Sequence, residues 1–191
     1  MKSYFLSFSF LLIAAFGFAT GVDPITKSIN TATSNIVWKA SKVTGTHEGN
    51  IKFKSGSLKF DGDLLIGGEL MVDMNSIDVT DLKGGGKGKL EGHLKSDDFF
   101  GVNTYPTSSL KFTKVTSRGI AGEYKITANL TIKNTTKEIK FNATLKAGAG
   151  SATIRLDSSD YDIRYGSGSF FDNLGDKTIY DEFDLNVAIN Y

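Results

Sequence analysis

The sequence predicts an all-β fold, a single antiparallel barrel of about eight strands with a short capping helix near residues 89–99. Apolar and polar residues alternate along most of the chain after residue 35, and short turn sequences separate the alternating runs. Only one interval has helical spacing instead. A period of two places one face of a strand against a core and the other in water, as in antiparallel sheets. The 191 residues suit one such domain better than two.

The clearest alternation lies in the second half of the chain. Residues 124–132 hold five apolar side chains separated by four polar ones, and residues 139–145 and 183–191 repeat the pattern. Shorter copies occupy residues 36–40, 51–53, 58–60, 70–74, 110–112 and 152–156. The turns at 133–136 and 148–150 suit hairpins. Closing such a sheet into a barrel removes its exposed edges and leaves an interior for side chains or one small ligand.

The interval from residue 82 to residue 99 departs from this pattern. Residues 82–89 are rich in glycine and predict a mobile loop. Leu90, Leu94 and the pair Phe99-Phe100 then recur at roughly helical spacing. We expect an amphipathic helix over residues 89–99 that caps one end of the barrel by burying its apolar stripe.

The first 19 residues predict a secretory signal peptide. A basic start at Lys2 precedes an apolar run, and Gly17 and Ala19 form a small-x-small cleavage site. The run is shorter than the ~20 residues that cross a bilayer, so we expect no integral membrane span in the mature protein. Residues 20–34 predict a flexible lead-in and residues 35–191 the barrel domain. With no Cys for a lipoprotein tether, the expected location is periplasmic or secreted.

Charge and motif content argue against several functions. The 22 Lys and Arg against 21 Asp and Glu lack the excess positive charge that a nucleic-acid surface requires. The chain has two histidines, His47 and His93, which is one too few for a three-histidine zinc site. No catalytic constellation emerges from the motifs. We therefore predict no nucleic-acid partner, no catalytic residue, no metal and no cofactor.

The many large apolar side chains allow two interpretations. The chain has 14 Phe, 7 Tyr, 3 Met and one Trp, and those that follow the predicted signal peptide either fill the barrel or surround an elongated apolar ligand. Periodicity alone leaves both interpretations open.

One long motif resembles the signature of the YceI-like family. It runs from Leu90 to Phe100 with the sequence LEGHLKSDDFF and is followed by Tyr105-Pro106. The strand of Trp38, residues 74–77, 130–137 and 161–165, and the final strand stand in the family's order. The resemblance covers about residues 35 to 191. It implies a lipocalin-like barrel whose interior binds a polyisoprenoid chain, in exported or periplasmic bacterial proteins.

The resemblance and the apolar strand faces together indicate the candidate site residues. The candidates for an apolar pocket are Trp38, Phe53, Met74, Leu94, Phe99, Phe100, Phe112, Ile126, Leu130, Phe141 and Phe183. His93 and Arg164 are the head-group candidates. Many family members carry an Arg where this chain has Ser158, and residues 166–178 resemble a glycine-rich variant of the family.

The resulting hypothesis is a non-enzymatic, exported protein that holds an isoprenoid lipid for transport, storage or sequestration. The lipid is of the prenyl quinone or carrier-lipid type and is the only partner that the resemblance implies, while a homodimer stays open. One alternative is an envelope interaction or stress protein with a filled barrel. The other is an enzyme that acts on a bound isoprenoid.

Overall fold

The computed structural model describes residues 23–42, 45–163 and 179–191. Its strands are β1 (Ile25–Ser28), β2 (Asn35–Lys42), β3 (Gly45–Asp61), β4 (Leu64–Val79), β5 (Thr107–Ser117), β6 (Glu123–Ile132), β7 (Thr135–Lys146), β8 (Ala149–Asp157) and β9 (Ile179–Asn190). The helix α1 (Gly84–Lys95) follows β4, and a 3-10 helix (Ser158–Tyr161) follows β8. The predicted signal peptide, Arg164 and residues 166–178 lie outside the described residues.

Eight of the strands close into an antiparallel barrel. From β2 to β9, each strand pairs with the next one along the chain, and β9 pairs back to β2. The remaining strand, β1, pairs only with the last part of β3, where Ile25 lies opposite Phe60. The all-β barrel with one helix that alternation predicts is therefore confirmed, with an up-and-down order of strands.

The longest strand of the barrel contains two of the short runs seen in the sequence. β3 spans 17 residues and includes both Ile51-Phe53 and Leu58-Phe60. Its register with β4 shifts at three places, one of them between Phe53 and Ser55. A β-bulge bends a strand and resets its alternation, so one curved strand appears in the sequence as two separate fragments.

The inward face of β6 shows how the core follows from the sequence. Tyr124, Ile126, Ala128, Leu130 and Ile132 are all buried, and the residues between them are at least partly exposed. Burying a Leu or Ile side chain contributes ~1.5–3 kcal/mol to folding. The inward faces of the eight barrel strands meet in one apolar interior, whereas all four residues of β1 are exposed.

The helix differs from its prediction in both position and packing. It begins at Gly84 and ends at Lys95, so part of the glycine-rich run predicted as a loop is helical. It has no side-chain N-cap and no fully buried residue. Leu94 packs against the core but stays partly exposed. The expected apolar stripe is thus narrow. Contacts with β4, described below, override the low helix propensity of glycine.

The N-terminal interval contains more structure than its composition indicates. Within the predicted lead-in, β1 pairs with β3 and Ile29 is buried. The buried Ser34 accepts a hydrogen bond from the backbone N–H of Asn190 through its Oγ at 3.0 Å, which ties this interval to β9. Its four-residue strand is too short for alternation to reveal it.

Candidate functional site

In the part of the chain that the structure describes, the barrel interior contains two apolar cavities. The upper cavity has a volume of about 140 Å³ and lies at the α1 end of the barrel, where Leu94 forms part of its wall. The lower cavity has a volume of about 80 Å³ and lies deeper, beside Phe112 and Phe141. A shell of four side chains lines both cavities and separates them. These residues are Ile36, Val72, Leu130 and Leu185.

All eleven apolar candidates from the sequence line these cavities. Trp38, Met74, Leu94, Phe99, Phe100 and Phe183 line the upper cavity. Phe53, Phe112, Ile126 and Phe141 line the lower cavity, and Leu130 lines both. The structure thus brings the candidates together around two neighbouring cavities, and their contact with a ligand stays a prediction.

The turn after α1 directs the motif side chains into the upper cavity. The backbone N–H of Phe100 donates to the carbonyl of Leu94 at 3.2 Å, and the N–H of Gly101 donates to the carbonyl of Ser96 at 2.7 Å. Gly101 has φ +57°, which favours glycine, so the chain reverses tightly here. The Phe99 and Phe100 rings meet edge to face, with 4.9 Å between centroids. The motif therefore builds an aromatic cover at this end of the barrel.

Polar contacts attach α1 to the end of β4. Lys87 Nζ donates to Asp78 Oδ1 at 2.6 Å, and the backbone N–H of Val79 donates to Glu91 Oε1 at 2.9 Å. The hydrogen bond from Lys87 is the main reason that the pKa of Asp78 lies below its usual value. These contacts hold the glycine-rich helix at the end of the barrel where Leu94 lines the upper cavity.

A second pair fixes the loop that precedes α1. His47 Nδ1 lies 2.7 Å from Asp81 Oδ2, and the backbone N–H of Glu48 donates to Asp81 Oδ1 at 3.2 Å. Burial raises the pKa of the Asp81 carboxyl, but the hydrogen bonds from His47 and Glu48 outweigh it and lower the pKa below its usual value. This pair joins β3 to the loop, so His47 has a structural contact here.

Trp38 brings a polar N–H group into the aromatic lining of the upper cavity. Its indole lies against Gly49, its register partner on β3. The Nε1–H is buried and finds no hydrogen-bond acceptor among the described residues. A nearby buried hydroxyl is satisfied, since Ser108 Oγ donates to the carbonyl of Thr131 at 2.7 Å. The walls therefore offer little polar chemistry to a ligand.

Of the two head-group candidates, the structure describes His93 but not Arg164. His93 does not line either cavity in the described part of the barrel. Its ring meets Phe99 edge to face, with 5.5 Å between centroids, so it supports the aromatic cover from behind. Arg164 lies outside the described residues. The upper cavity is instead lined by Ser158, which stands where many family members carry an Arg, and by Tyr180 and Asp181, which sequence reasoning missed.

Sequence reasoning also missed most of the shell between the cavities. Ile36 and Leu185 lie on the same strand faces as Trp38 and Phe183, two positions away in each case. The alternation therefore carried the signal for these side chains. Their place between two cavities follows only from how the strands curve around the interior.

The chemistry of the described residues is that of an apolar container. Among residues 23–42, 45–163 and 179–191, no three His, Asp or Glu side chains cluster closely enough to hold a metal ion. Within the same ranges, no helix combines the length and apolar character needed to span a bilayer. Asp181 is the only charged side chain among the described residues that line either cavity.

Comparisons with known proteins agree with this architecture. BcnA from Burkholderia cenocepacia superposes with a TM-score of 0.68 at 19% identity, over 84% of this chain and 98% of that one. A polyisoprenoid binding domain from Saccharophagus degradans gives a TM-score of 0.57 at 16% identity, covering 85% and 95% of the two chains. The YceI protein of Campylobacter jejuni gives 0.56 at 17% identity, covering 100% and 98%. At these identities the likeness shows the fold.

Sequence comparison identifies the family. Among curated proteins, a search finds no match to this chain. The profile of the YceI-like domain matches residues 28–191, which is most of the chain and includes every barrel strand and the motif around His93. The chain therefore belongs to the YceI-like domain family.

Proposed function

We propose that this protein holds a polyisoprenoid chain inside its barrel for transport, storage or sequestration, without catalysing a reaction on it. The observation that carries the proposal is the pair of apolar cavities that share one shell of side chains under the aromatic cover. A relative of the same fold is described as a polyisoprenoid binding domain, which supports this ligand class. The predicted signal peptide supports a periplasmic or secreted location.

The energetics favour a long apolar chain over a compact ligand. Burying one five-carbon isoprene unit contributes a gross ~3–4 kcal/mol. The loss of chain freedom and the ordering of side chains offset much of that gain, so several buried units are needed for tight binding. A chain of linked units can extend through both cavities, whereas a compact ligand fills only one of them.

The present cavity volumes define what binding requires. A cavity of ~150 Å³ holds a single benzene-sized molecule, so the upper cavity accommodates roughly one isoprene unit. The lower cavity is smaller. A longer chain therefore requires the four shell side chains to change rotamer. Such changes are within reach of Leu, Ile and Val side chains, which occupy a few staggered rotamers.

Extraction tests the proposal directly. The purified protein, incubated with geranylgeraniol and passed over a desalting column, is extracted with organic solvent and analysed by mass spectrometry. We expect one prenyl chain per protein. A Val72→Phe variant fills the shell and should lose the ligand, whereas Met71→Phe, at an exposed neighbouring position, should keep it.

The same experiment decides between the interpretations of the barrel. Wild-type protein that never retains a prenyl chain would defeat the proposal and favour the filled-barrel interaction protein. Retained ligand that returns chemically altered would instead favour an enzyme.

A further inference from the structure

The barrel wall is divided along the seam between β7 and β8. These strands pair only next to their hairpin, from Ala143 opposite Ala152 to Lys146 opposite Ala149. On its other side, β7 pairs with β6 along almost its whole length, and β8 does the same with β9. Residues 135–142 of β7 and 153–157 of β8 thus have no ladder between them. We call the point where these two strands part, beside Ala143 and Ala152, the fork.

The lower cavity comes close to the outer surface at the fork. A depression on the outside of the barrel is lined by Asn142, Thr144, Thr153 and Asn186, together with four residues that also line the lower cavity. The four shared residues are Ala143, Ser151, Ala152 and Val187. Three of them have the small side chains of Ala or Ser, so only a thin part of the wall separates the cavity from solvent here.

Side chains lie beyond both ends of the lower cavity. Two strand positions past the lining residues Leu58 and Ile189, Phe60 and Tyr191 stack with 5.3 Å between ring centroids, and Lys27 Nζ lies 5.1 Å from the Phe60 centroid. Toward the top, the shell that includes Leu130 and Leu185 separates it from the upper cavity. Among the described residues, the fork is therefore a place where the wall of the lower cavity is thin and made of small side chains.

Another seam of the barrel is also short, but it is covered. β4 and β5 pair only from Glu69 opposite Lys111 to Asp73 opposite Thr107. Above this ladder, the backbone N–H of Met74 donates to the carbonyl of Pro106 at 3.0 Å. Below it, the Tyr124 hydroxyl accepts a hydrogen bond from the backbone N–H of Leu65 at 3.2 Å. These contacts bridge β4 to its surroundings at both ends of that ladder.

We infer that the fork is the site where an apolar hydrocarbon chain enters the lower cavity sideways. This inference rests on the proposed function and adds a route and a location to it. Paired strands lie ~4.8 Å apart and leave no room for a chain between them. Where the ladder ends, β7 and β8 can separate without breaking a run of backbone hydrogen bonds. A long chain then enters without threading its whole length from one end.

At the end of the fork away from the hairpin, one ion pair connects β7 to the 3-10 helix. The 3-10 helix after β8 reaches back to β7, where Lys137 Nζ lies 3.3 Å from Asp160 Oδ1 and both side chains are largely exposed. An exposed ion pair of this kind holds weakly. Tyr161 beside it is almost fully buried and fills the wall. The opening is thus bounded by a hairpin ladder at one end and a weak contact at the other.

A covalent cross-link across the fork tests the inference. Because the chain has no Cys, two introduced cysteines are the only thiols that can react. Asn142→Cys with Thr153→Cys places two exposed thiols next to the last ladder pair, where a disulfide or a short bis-maleimide can join them. The matched control is Thr127→Cys with Lys140→Cys, a register pair on the closed β6–β7 seam. Uptake of tritiated geranylgeraniol is timed before and after joining, and disulfide staples are also reduced again.

The expected result is specific to the fork. Joining the fork pair should slow uptake at least about tenfold, and reduction of its disulfide should restore the rate, because chain admission becomes the slow step. The control pair should change the rate little. Equal rates for the joined and open fork would overturn the route while leaving the proposed function intact. Wild-type protein that takes up no prenyl chain would overturn both.

Discussion

The indole of Trp38 lies directly on Gly49, the residue opposite it in the β2–β3 ladder. A Cβ atom at position 49 would stand 2.6 Å from Trp38 Cζ2 and closer still to the carbonyl oxygen of Asp78. Glycine at this position is therefore what allows the Trp38 ring to fit beside the upper cavity and the end of β4 to pass close by.

Gly49→Ala should consequently destabilise the barrel. Overpacking of this kind costs ~1–3 kcal/mol, and we expect that loss in urea unfolding. The matched control is Gly67→Ala on β4, where a Cβ would meet nothing closer than Lys59 Cβ at 3.8 Å. The control should be neutral or slightly stabilising, since glycine weakens a strand interior. Equal stability of wild type and Gly49→Ala would contradict the packing described.

Trp38 should report directly on ligand binding. It is the only tryptophan in the chain and lines the upper cavity. A prenyl chain in that cavity should shift its emission to shorter wavelength, in a fluorescence titration with geranylgeraniol. Binding that mass spectrometry detects without any change in emission would place the ligand elsewhere.

Trp38→Phe serves as the control for that titration. The variant should lose the emission signal and still retain the ligand by mass spectrometry. Its stability should change only modestly, because the substitution removes a buried N–H that has no acceptor among the described residues.

Leu130→Ala should join the two cavities. Leu130 is buried and lines both, so its truncation should cost ~2–5 kcal/mol in stability. The enlarged space should improve retention of geranylgeraniol relative to the shorter geraniol. Leu145→Ala is the control, because Leu145 is buried to a similar extent and lines only the lower cavity. Similar gains in both variants would argue against a shell that separates the cavities.

Glycines in α1 should respond to substitution according to their backbone angles. Gly88 has open space around its Cβ position and no positive φ, so Gly88→Ala should stabilise the helix by up to ~1 kcal/mol. Gly84 has equally open space but φ +56°, so Gly84→Ala should destabilise the protein. Thermal unfolding of the two variants gives the comparison. A gain in melting temperature for both would show that Gly84 is not held in the left-handed region.

Tyr161 should make the protein sensitive to alkaline pH. Burial and, to a smaller degree, the nearby Asp160 carboxylate raise the pKa of Tyr161 to about 12. Because the pKa is raised in the folded protein, the neutral Tyr161 hydroxyl makes its full contribution to stability below the tyrosine pKa of the unfolded chain, ~10. That contribution is lost as the pH rises through the pKa of the folded protein. Wild type should therefore lose stability relative to Tyr161→Phe across this window in urea titrations.

The control for that window is Tyr180→Phe. Tyr180 is largely exposed, so removing its hydroxyl should leave the alkaline loss of wild type unchanged. If Tyr161→Phe followed wild type across the same window, the buried hydroxyl would not be the cause.

The sequence predicts the structure best where one repeating pattern of apolar residues runs along a whole strand. The inward face of β6, from Tyr124 to Ile132, follows from alternation alone because a strand turns successive side chains to opposite faces. Alternation does not predict the full length of β3, since the bulge at Phe53 makes one strand look like two fragments in the sequence. The sequence does not predict the position of α1 either, because contacts of Lys87 and Glu91 with β4 stabilise a helix that its glycines disfavour.

By itself the sequence determined the all-β barrel, the apolar candidates and the family motif, because the period of side chains and the residues of a motif are properties of neighbouring positions. Only the tertiary structure decided that the interior is two cavities behind a shared shell, that His93 stands behind Phe99, and that β7 and β8 part beside Ala143. The physical reason is that these features depend on how far the strands curve and where their ladders end. Curvature and ladder length arise from contacts between residues far apart in the chain.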